Sequence, residues 1–255
     1  MPPMNELVLR HDDKGAAILT LNRPEKLNAL NKDVLEALDA HLDAISRDTR
    51  TVGLVIVRGA GGHFSAGYDM VEILGHVKAN SKPHYHSEVI DRLSNLPQPV
   101  ISAVQGHCST GAIELALAAD LIVASESAKF CDSYARWGLT PVWGLSLRLP
   151  HRVGTAKAAE MMFTGRSYSG AEAHDMHLVN FCFPDDGFET ELRALAEDIL
   201  ANSWYSNQVN KRALIASDGL TLADAHALEM FKNDGIAPDA VRRLNAFFAK
   251  KRAKI

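Results

Sequence analysis

Four short runs of apolar, largely β-branched residues stand out along the chain: Ala16-Ala17-Ile18-Leu19-Thr20-Leu21, Val52-Gly53-Leu54-Val55-Ile56-Val57, Val100-Ile101-Ser102-Ala103-Val104 and Leu121-Ile122-Val123-Ala124. Each is bounded by Gly, Pro or charge and is short for a helix, so each predicts a buried strand. Between the first two, Val34, Leu35, Leu38, Leu42 and Ile45 recur at helical spacing behind Asn31, a residue suited to an N-cap. Strands alternating with helices at this spacing predict a layered α/β core.

From about Glu189 onward the period is helical throughout. Leu192, Leu195, Ala196 and Ile199 form one stripe, Thr221 caps a helix running through Phe231, and Pro238 opens another carrying Val241, Leu244 and Phe248. The pattern therefore divides one domain into a core over 1–188 and a helical region over 189–255. The largely polar stretch 71–95, with His84, Tyr85 and His86, separates two strands and is expected to be a mobile flap over a site. There is no repeat at a period of about 20–50 residues and no low-complexity tract.

Composition adds exclusions. With 255 residues, 47% hydrophobic and 23% charged, the chain is long enough for a large core and ordinary for a soluble globular protein. A net charge of −4 offers no broad basic field for nucleic acid or a membrane surface. The tail Lys250-Lys251-Arg252-Ala253-Lys254 is the exception: it either meets a phosphate or places cations at the negative end of a helix. Cys108, Cys131 and Cys182 are widely spaced and odd in number, which predicts reduced, mostly buried thiols. No leader pattern and no run of about 18 apolar residues is present, so a cytoplasmic location is expected.

Two segments carry chemistry. His63-Phe64-Ser65-Ala66-Gly67-Tyr68-Asp69-Met70 follows a strand and the flexible Gly59-Ala60-Gly61-Gly62, a setting in which backbone N–H groups lack strand partners and can face a ligand oxygen. Alone, such a turn is more often structural. In Gly106-His107-Cys108-Ser109-Thr110-Gly111-Ala112-Ile113-Glu114, small residues after a strand begin a helix, so the Gly111 N–H is available to an oxyanion and is helped by the helix dipole. Glu114 lies in that first turn among Ile113, Leu115, Ala116 and Leu117. A carboxylate on a helix apolar on nearly every face is costly unless it meets a partner or a cleft. A salt bridge or cap would satisfy it, but its place one turn from a free donor fits an acid/base beside an oxyanion site.

Here the sequence resembles a known family. Leu21-Asn22-Arg23-Pro24-Glu25-Lys26-Leu27-Asn28-Ala29-Leu30, Phe64 to Asp69, Gly106 to Asp120, Phe163-Thr164-Gly165-Arg166 and Ala246-Phe247-Phe248-Ala249-Lys250-Lys251 are similar, in order and spacing, to the enoyl-CoA hydratase/isomerase (crotonase) family. The resemblance implies a spiral of ββα units with a C-terminal helical trimerisation region, assembled as a homotrimer or a dimer of trimers. It implies that the N–H groups of Tyr68 and Gly111 hold an acyl-CoA thioester carbonyl. Lys26, Leu27, Ala66, Tyr68, Asp69, Met70 and Val71 would line the CoA thioester, with Phe247 and Lys250 reaching a CoA on a neighbouring subunit. No separate cofactor or metal is implied, CoA being part of the substrate.

Glu114 matches the family carboxylate that activates water. The second carboxylate position falls on Tyr134, and the nearest acid, Asp132, is two positions early. A phenol of ordinary pKa about 10 is a poor base at neutral pH, though it can hydrogen-bond or give a proton. The resemblance implies an enzyme of the hydro-lyase class first, adding water to a 2-enoyl-CoA, with movement of the double bond left open beside it. Thioester hydrolysis and a catalytically weak CoA-binding or RNA-binding role stay open as well. Three further expectations are bland: a turn-capping role for Asp69, a surface loop position for Asp132, and no metal at the His-x-His pair His84 and His86, which lacks a third ligand in register. Trp137 and Trp143 are expected in core or pocket packing.

Overall fold

The computed structural model describes residues 6–79, 85–233 and 235–252. Strands β1 (Val8–Asp13) and β2 (Ala16–Leu21) form an antiparallel hairpin, turning through Lys14 and Gly15, both at positive φ. β2 then pairs in parallel with β3 (Leu54–Gly59), β3 with β4 (Val100–Val104), β4 with β6 (Leu121–Ser125) and β6 with β9 (Phe181–Phe183). A second, three-stranded sheet holds β5 (His107–Ser109), β7 (Lys129–Cys131) and β8 (Ser167–Ser169).

The chain winds between the two sheets. β4 passes to β5 across Gln105-Gly106, and α4 (Gly111–Leu117) follows. β6 passes to β7, α5 (Leu145–Thr164) follows, and α6 (Gly170–Asp175) lies between β8 and β9. These are turns of the expected ββα spiral. The four predicted strands all form, with the second shifted two residues toward its C-terminus. Their apolar runs are unbroken because both faces are buried: Val55 and Val57 face one core cluster, while Leu54 and Ile56 face the other.

The first cluster is closed by α1 (Lys32–Ser46), whose buried face carries Val34, Leu35, Leu38, Leu42 and Ile45 as expected. Asn31 caps it, accepting the Val34 N–H at 3.0 Å. The opposite sheet face is covered by α7 (Phe188–Ala201) through Phe188, Leu192 and Ala196. Beyond it lie α8 (Trp204–Ser217), α9 (Leu222–Lys232), capped by Thr221, and α10 (Ala240–Arg252), which starts two residues after Pro238.

Two expectations need correction. The stretch 71–95 is not a loop: it forms α2 (Met70–Ala79) and α3 (Tyr85–Ser94), and Val89, Ile90 and Leu93 are buried in the core against α1. Its second half is amphipathic, with polar residues on the outer face. Of the thiols, only Cys108 is buried, and Cys131 and Cys182 are partly exposed. His84, Ala253 and Lys254 lie outside the described residues.

α8 is fastened to the core by a buried cation. Lys211 is 5% exposed, donates to the Gln98 carbonyl at 3.1 Å and lies 2.8 Å from Asp120 Oδ2. Asp120 Oδ2 also accepts the Val100 N–H at the start of β4. Removing one member of such a pair strands the other. Lys211→Ala is expected to cost about 3 kcal/mol, the lower end of the range for broken buried pairs because Asp120 keeps some solvent contact. In denaturant unfolding, the double variant Lys211→Met/Asp120→Asn should lose less than the sum of the two single changes.

Candidate active site

Three chain segments are laced together beside the start of α4. Ala66 N–H donates to Leu27 O, Leu30 N–H to Gly67 O, and Asp69 N–H to Leu30 O. On the other side Ser65 N–H donates to His107 O and Ser109 N–H to Ser65 O. The result is a short extension of the small sheet that carries residues 65–69 past the N-terminus of α4. Asn28 fixes the outer segment, with its amide donating to Ala60 O at 2.8 Å and His63 O at 2.6 Å while its carbonyl accepts the Arg23 N–H.

Two backbone features make the approach possible. Gly67 has φ +94°, and any Cβ there would collide with Thr110 Oγ1 and the Ser109 carbonyl. Thr110, next to α4, is itself held at φ +49° and ψ −113°, a strained conformation for a β-branched residue. Together they bring Tyr68 N close to Gly111: a Cβ built on Gly111 would lie 3.4 Å from it. Among the described residues no acceptor takes the N–H of Tyr68 or of Gly111.

Glu114, one turn along α4, is fully buried. Its Oε1 accepts the N–H groups of Trp143 at 2.8 Å and Leu145 at 3.1 Å, and its Oε2 accepts the Tyr134 hydroxyl at 2.5 Å. Burial pushes its pKa above the usual carboxylate value, and those three hydrogen bonds pull the other way. Tyr134, on a 3-10 turn over Tyr134–Trp137, is buried too. Desolvation and the neighbouring carboxylate raise its pKa, which keeps it a neutral donor.

A cavity of about 230 Å³ opens next to these groups, with Ala66, Tyr68, Thr110, Ser133, Tyr134 and Leu139 in its wall. Met70 also lines it and is half-exposed, while Lys26, Leu27 and Val71 are exposed and are not among the residues of its wall. Asp69 behaves as expected: Oδ1 accepts the Val71 N–H at 3.0 Å and Oδ2 pairs with Arg23 at 3.2 Å. Phe247 and Lys250 sit on α10, exposed and away from the cavity wall of this chain.

Asp132 is not on the surface. It is 1% exposed and accepts the Tyr134 N–H at 3.1 Å, so it orders the turn that presents the phenol. Trp137 lines the cavity although it is largely exposed, and Trp143 is buried against the site, so the two take the pocket and core positions expected. The described residues contain no cluster of metal-ligating side chains. Sequence reasoning missed a polar group behind Tyr68: its hydroxyl donates to Glu72 at 2.8 Å and lies 3.2 Å from His76 Nε2 and from His86 Nδ1. The signal was present, because Tyr68, Glu72 and His76 are spaced i, i+4, i+8.

An unpaired pair of N–H groups at a helix start, with a buried carboxylate one turn away, is the arrangement of an enzyme that stabilises negative charge on an oxygen. The chain belongs to the enoyl-CoA hydratase/isomerase family, whose family model matches residues 11–252. It is 34% identical over 254 residues to a protein named probable enoyl-CoA hydratase from Rhizobium meliloti (strain 1021), covering 98% of this chain and 97% of the relative. It is 30% identical over 256 residues to the 1,2-epoxyphenylacetyl-CoA isomerase of Escherichia coli (strain K12), covering 97% of each. Among solved structures, an enoyl-CoA hydratase from Bacillus anthracis matches with a TM-score of 0.89, at 29% identity and 96% of each chain.

The Tyr134 bond favours ionised Glu114, so Tyr134→Phe should raise the Glu114 pKa further. Followed by the carboxyl infrared band, the titration midpoint moves upward in the variant; an unchanged midpoint would mean that the hydroxyl does not govern the charge. Stability follows with a definite sign. A carboxyl whose folded pKa exceeds its unfolded value binds its proton more tightly in the native state. Its contribution to stability is therefore lost as pH rises from the ordinary carboxylate value through the raised one, and Glu114→Gln removes that slope.

Proposed function

We propose that this protein acts on an enoyl-CoA thioester, holding the carbonyl oxygen between the N–H groups of Tyr68 and Gly111 and moving one proton with Glu114. The observation that carries the reading is the unpaired N–H pair beside the Glu114–Tyr134 couple. When a proton leaves the carbon chain next to the thioester, or a nucleophile adds at Cβ, charge collects on the carbonyl oxygen as an enolate. In other enzymes with an oxyanion hole, removing one such donor costs about 3–4 kcal/mol. The thioester itself is the electron sink, so this chemistry requires no separate cofactor.

The hydrogen bonds of Glu114 favour one of its oxygens as the base. Oε1 already accepts two backbone N–H groups, whereas Oε2 accepts only the Tyr134 hydroxyl and keeps a lone pair. Oε2 would take the proton and return it, with Tyr134 holding it in place. A single couple that releases and recaptures one proton fits a shift of the double bond between the 3- and 2-positions. Hydration of a 2-enoyl-CoA is the second reading, favoured by the named hydratases among the relatives; there Glu114 would serve as base and then acid.

Purified protein is expected to convert a 3-enoyl-CoA to its 2-enoyl isomer, to hydrate crotonyl-CoA, or both, with no release of free thiol. Glu114→Gln should lower kcat by roughly 10²–10⁴-fold, the usual contribution of a positioned acid/base. Full activity in that variant would sink the mechanism, and thiol release would instead identify a thioester hydrolase.

Assembly as a homotrimer or dimer of trimers is part of the same proposal. Leu214, Leu222, Met230 and Phe231 leave a large apolar area exposed on α8 and α9, more than scattered surface hydrophobes account for. Light scattering should give a mass of three or six chains; a monomer would leave Phe247 and Lys250 without a site to reach.

A further inference from the structure

The Tyr68 ring closes one side of the cavity, and two further rings stand behind it. Tyr68 lines it, and its ring packs edge-on against Trp143 at 5.1 Å and 80° and against His86 at 5.5 Å and 61°. His86 and Trp143 complete the triangle at 5.9 Å. Behind Tyr68 there is little slack, since Trp143 is 2% and His86 4% exposed.

The Tyr68 ring is also tethered at its far end. Its single phenolic proton goes to Glu72 at 2.8 Å, leaving the oxygen's lone pairs to face His76 and His86 at 3.2 Å. Glu72 in turn accepts the Lys32 N–H at 3.0 Å, at the start of α1. The phenol is thereby fastened to α1, α2 and α3 together, and swinging it aside would break bonds to two of them. What remains is about 230 Å³, below the roughly 300–1,000 Å³ of pockets that enclose a drug-sized ligand. On the thioester reading, the carbonyl at the Tyr68 N–H and the start of the acyl chain share that space.

We propose that Tyr68, backed by Trp143 and His86, is a specificity-determining residue that confines the site to compact acyl groups and excludes long straight chains. The inference rests on the reading of the cavity as a thioester site, because acyl length is measured from the carbonyl at the Tyr68 N–H. One residue then sets both limits: its main chain fixes the carbonyl and its ring caps the acyl group. Replacing the side chain removes the cap while the N–H stays in the chain.

The test uses butanoyl-CoA and decanoyl-CoA, saturated thioesters that bind without reacting, titrated calorimetrically into the wild-type protein, Tyr68→Ala and Tyr68→Phe. Wild type is expected to bind butanoyl-CoA at least tenfold more tightly than decanoyl-CoA. Tyr68→Ala should reduce that ratio by tenfold or more, while Tyr68→Phe, which keeps the ring, should retain the wild-type order. Equal binding of the two thioesters by wild type overturns the inference and leaves the thioester site standing. So does an unchanged ratio in a Tyr68→Ala protein whose circular dichroism is native. If neither thioester binds wild type, the thioester reading fails and the inference falls with it. Should Tyr68→Ala not fold, the wild-type pair of affinities still decides.

Discussion

The chain contains two backbone N–H groups, those of Tyr68 and Gly111, that lie close together and find no acceptor among the described residues. A polar group withdrawn from water and left unbonded costs about 1–3 kcal/mol. Much of the local architecture serves to keep them in that state. Gly67 has no side chain because the chain behind it leaves no room, Thr110 is held at positive φ, and Asn28 and Arg23 hold the outer segment in place. Strain and unpaired donors concentrated in one place mark a candidate functional site, and the backbone hydrogen bonds on either side of residues 65–69 hold them there.

How much of this was legible in the sequence depended on the range of the interaction. The strands could be read because burial on both faces makes their apolar runs continuous, and α1 because its stripe and its Asn31 cap are local. Gly111 and Glu114 were legible for the same reason: a helix start and a carboxylate among apolar neighbours are both features of a few adjacent residues. α3 was misread as flap because Val89, Ile90 and Leu93 are diluted by polar residues that face outward, so the average polarity hid the period. Asp132 was misplaced because its burial comes from the fold around its turn. The partners of Glu114 from Trp143 and Leu145, about thirty positions away, are backbone groups, and side-chain identity carries no trace of them.

The Glu114 carboxylate shows why that missing information matters. Judged by burial alone it would be held neutral, and judged by its three donors it would be held ionised. Burial is the larger of the two effects, so the pKa stays raised, and the hydrogen bonds from Tyr134 and the turn at 143–145 limit the rise. A family position usually filled by a second carboxylate here supplies a hydrogen bond to the first. On the proposed reading, the chain would work with one acid and a neutral partner that sets its orientation.

Trp143 ties the two halves of the site together. Its backbone N–H donates to Glu114 Oε1, its ring edge covers Gly111, where a Cβ would come within 2.8 Å, and the same ring supports Tyr68. Shortening that side chain would loosen the wall behind Tyr68, and displacing its backbone would change the donor set of the carboxylate. The two effects are separable in principle, since one depends on the ring and the other on the peptide. In a close-packed interior, however, a shift of either propagates to the other. Under the proposed function, acyl selection and acid/base strength would therefore be coupled through one residue that touches the cavity only through Tyr68 and does not itself titrate.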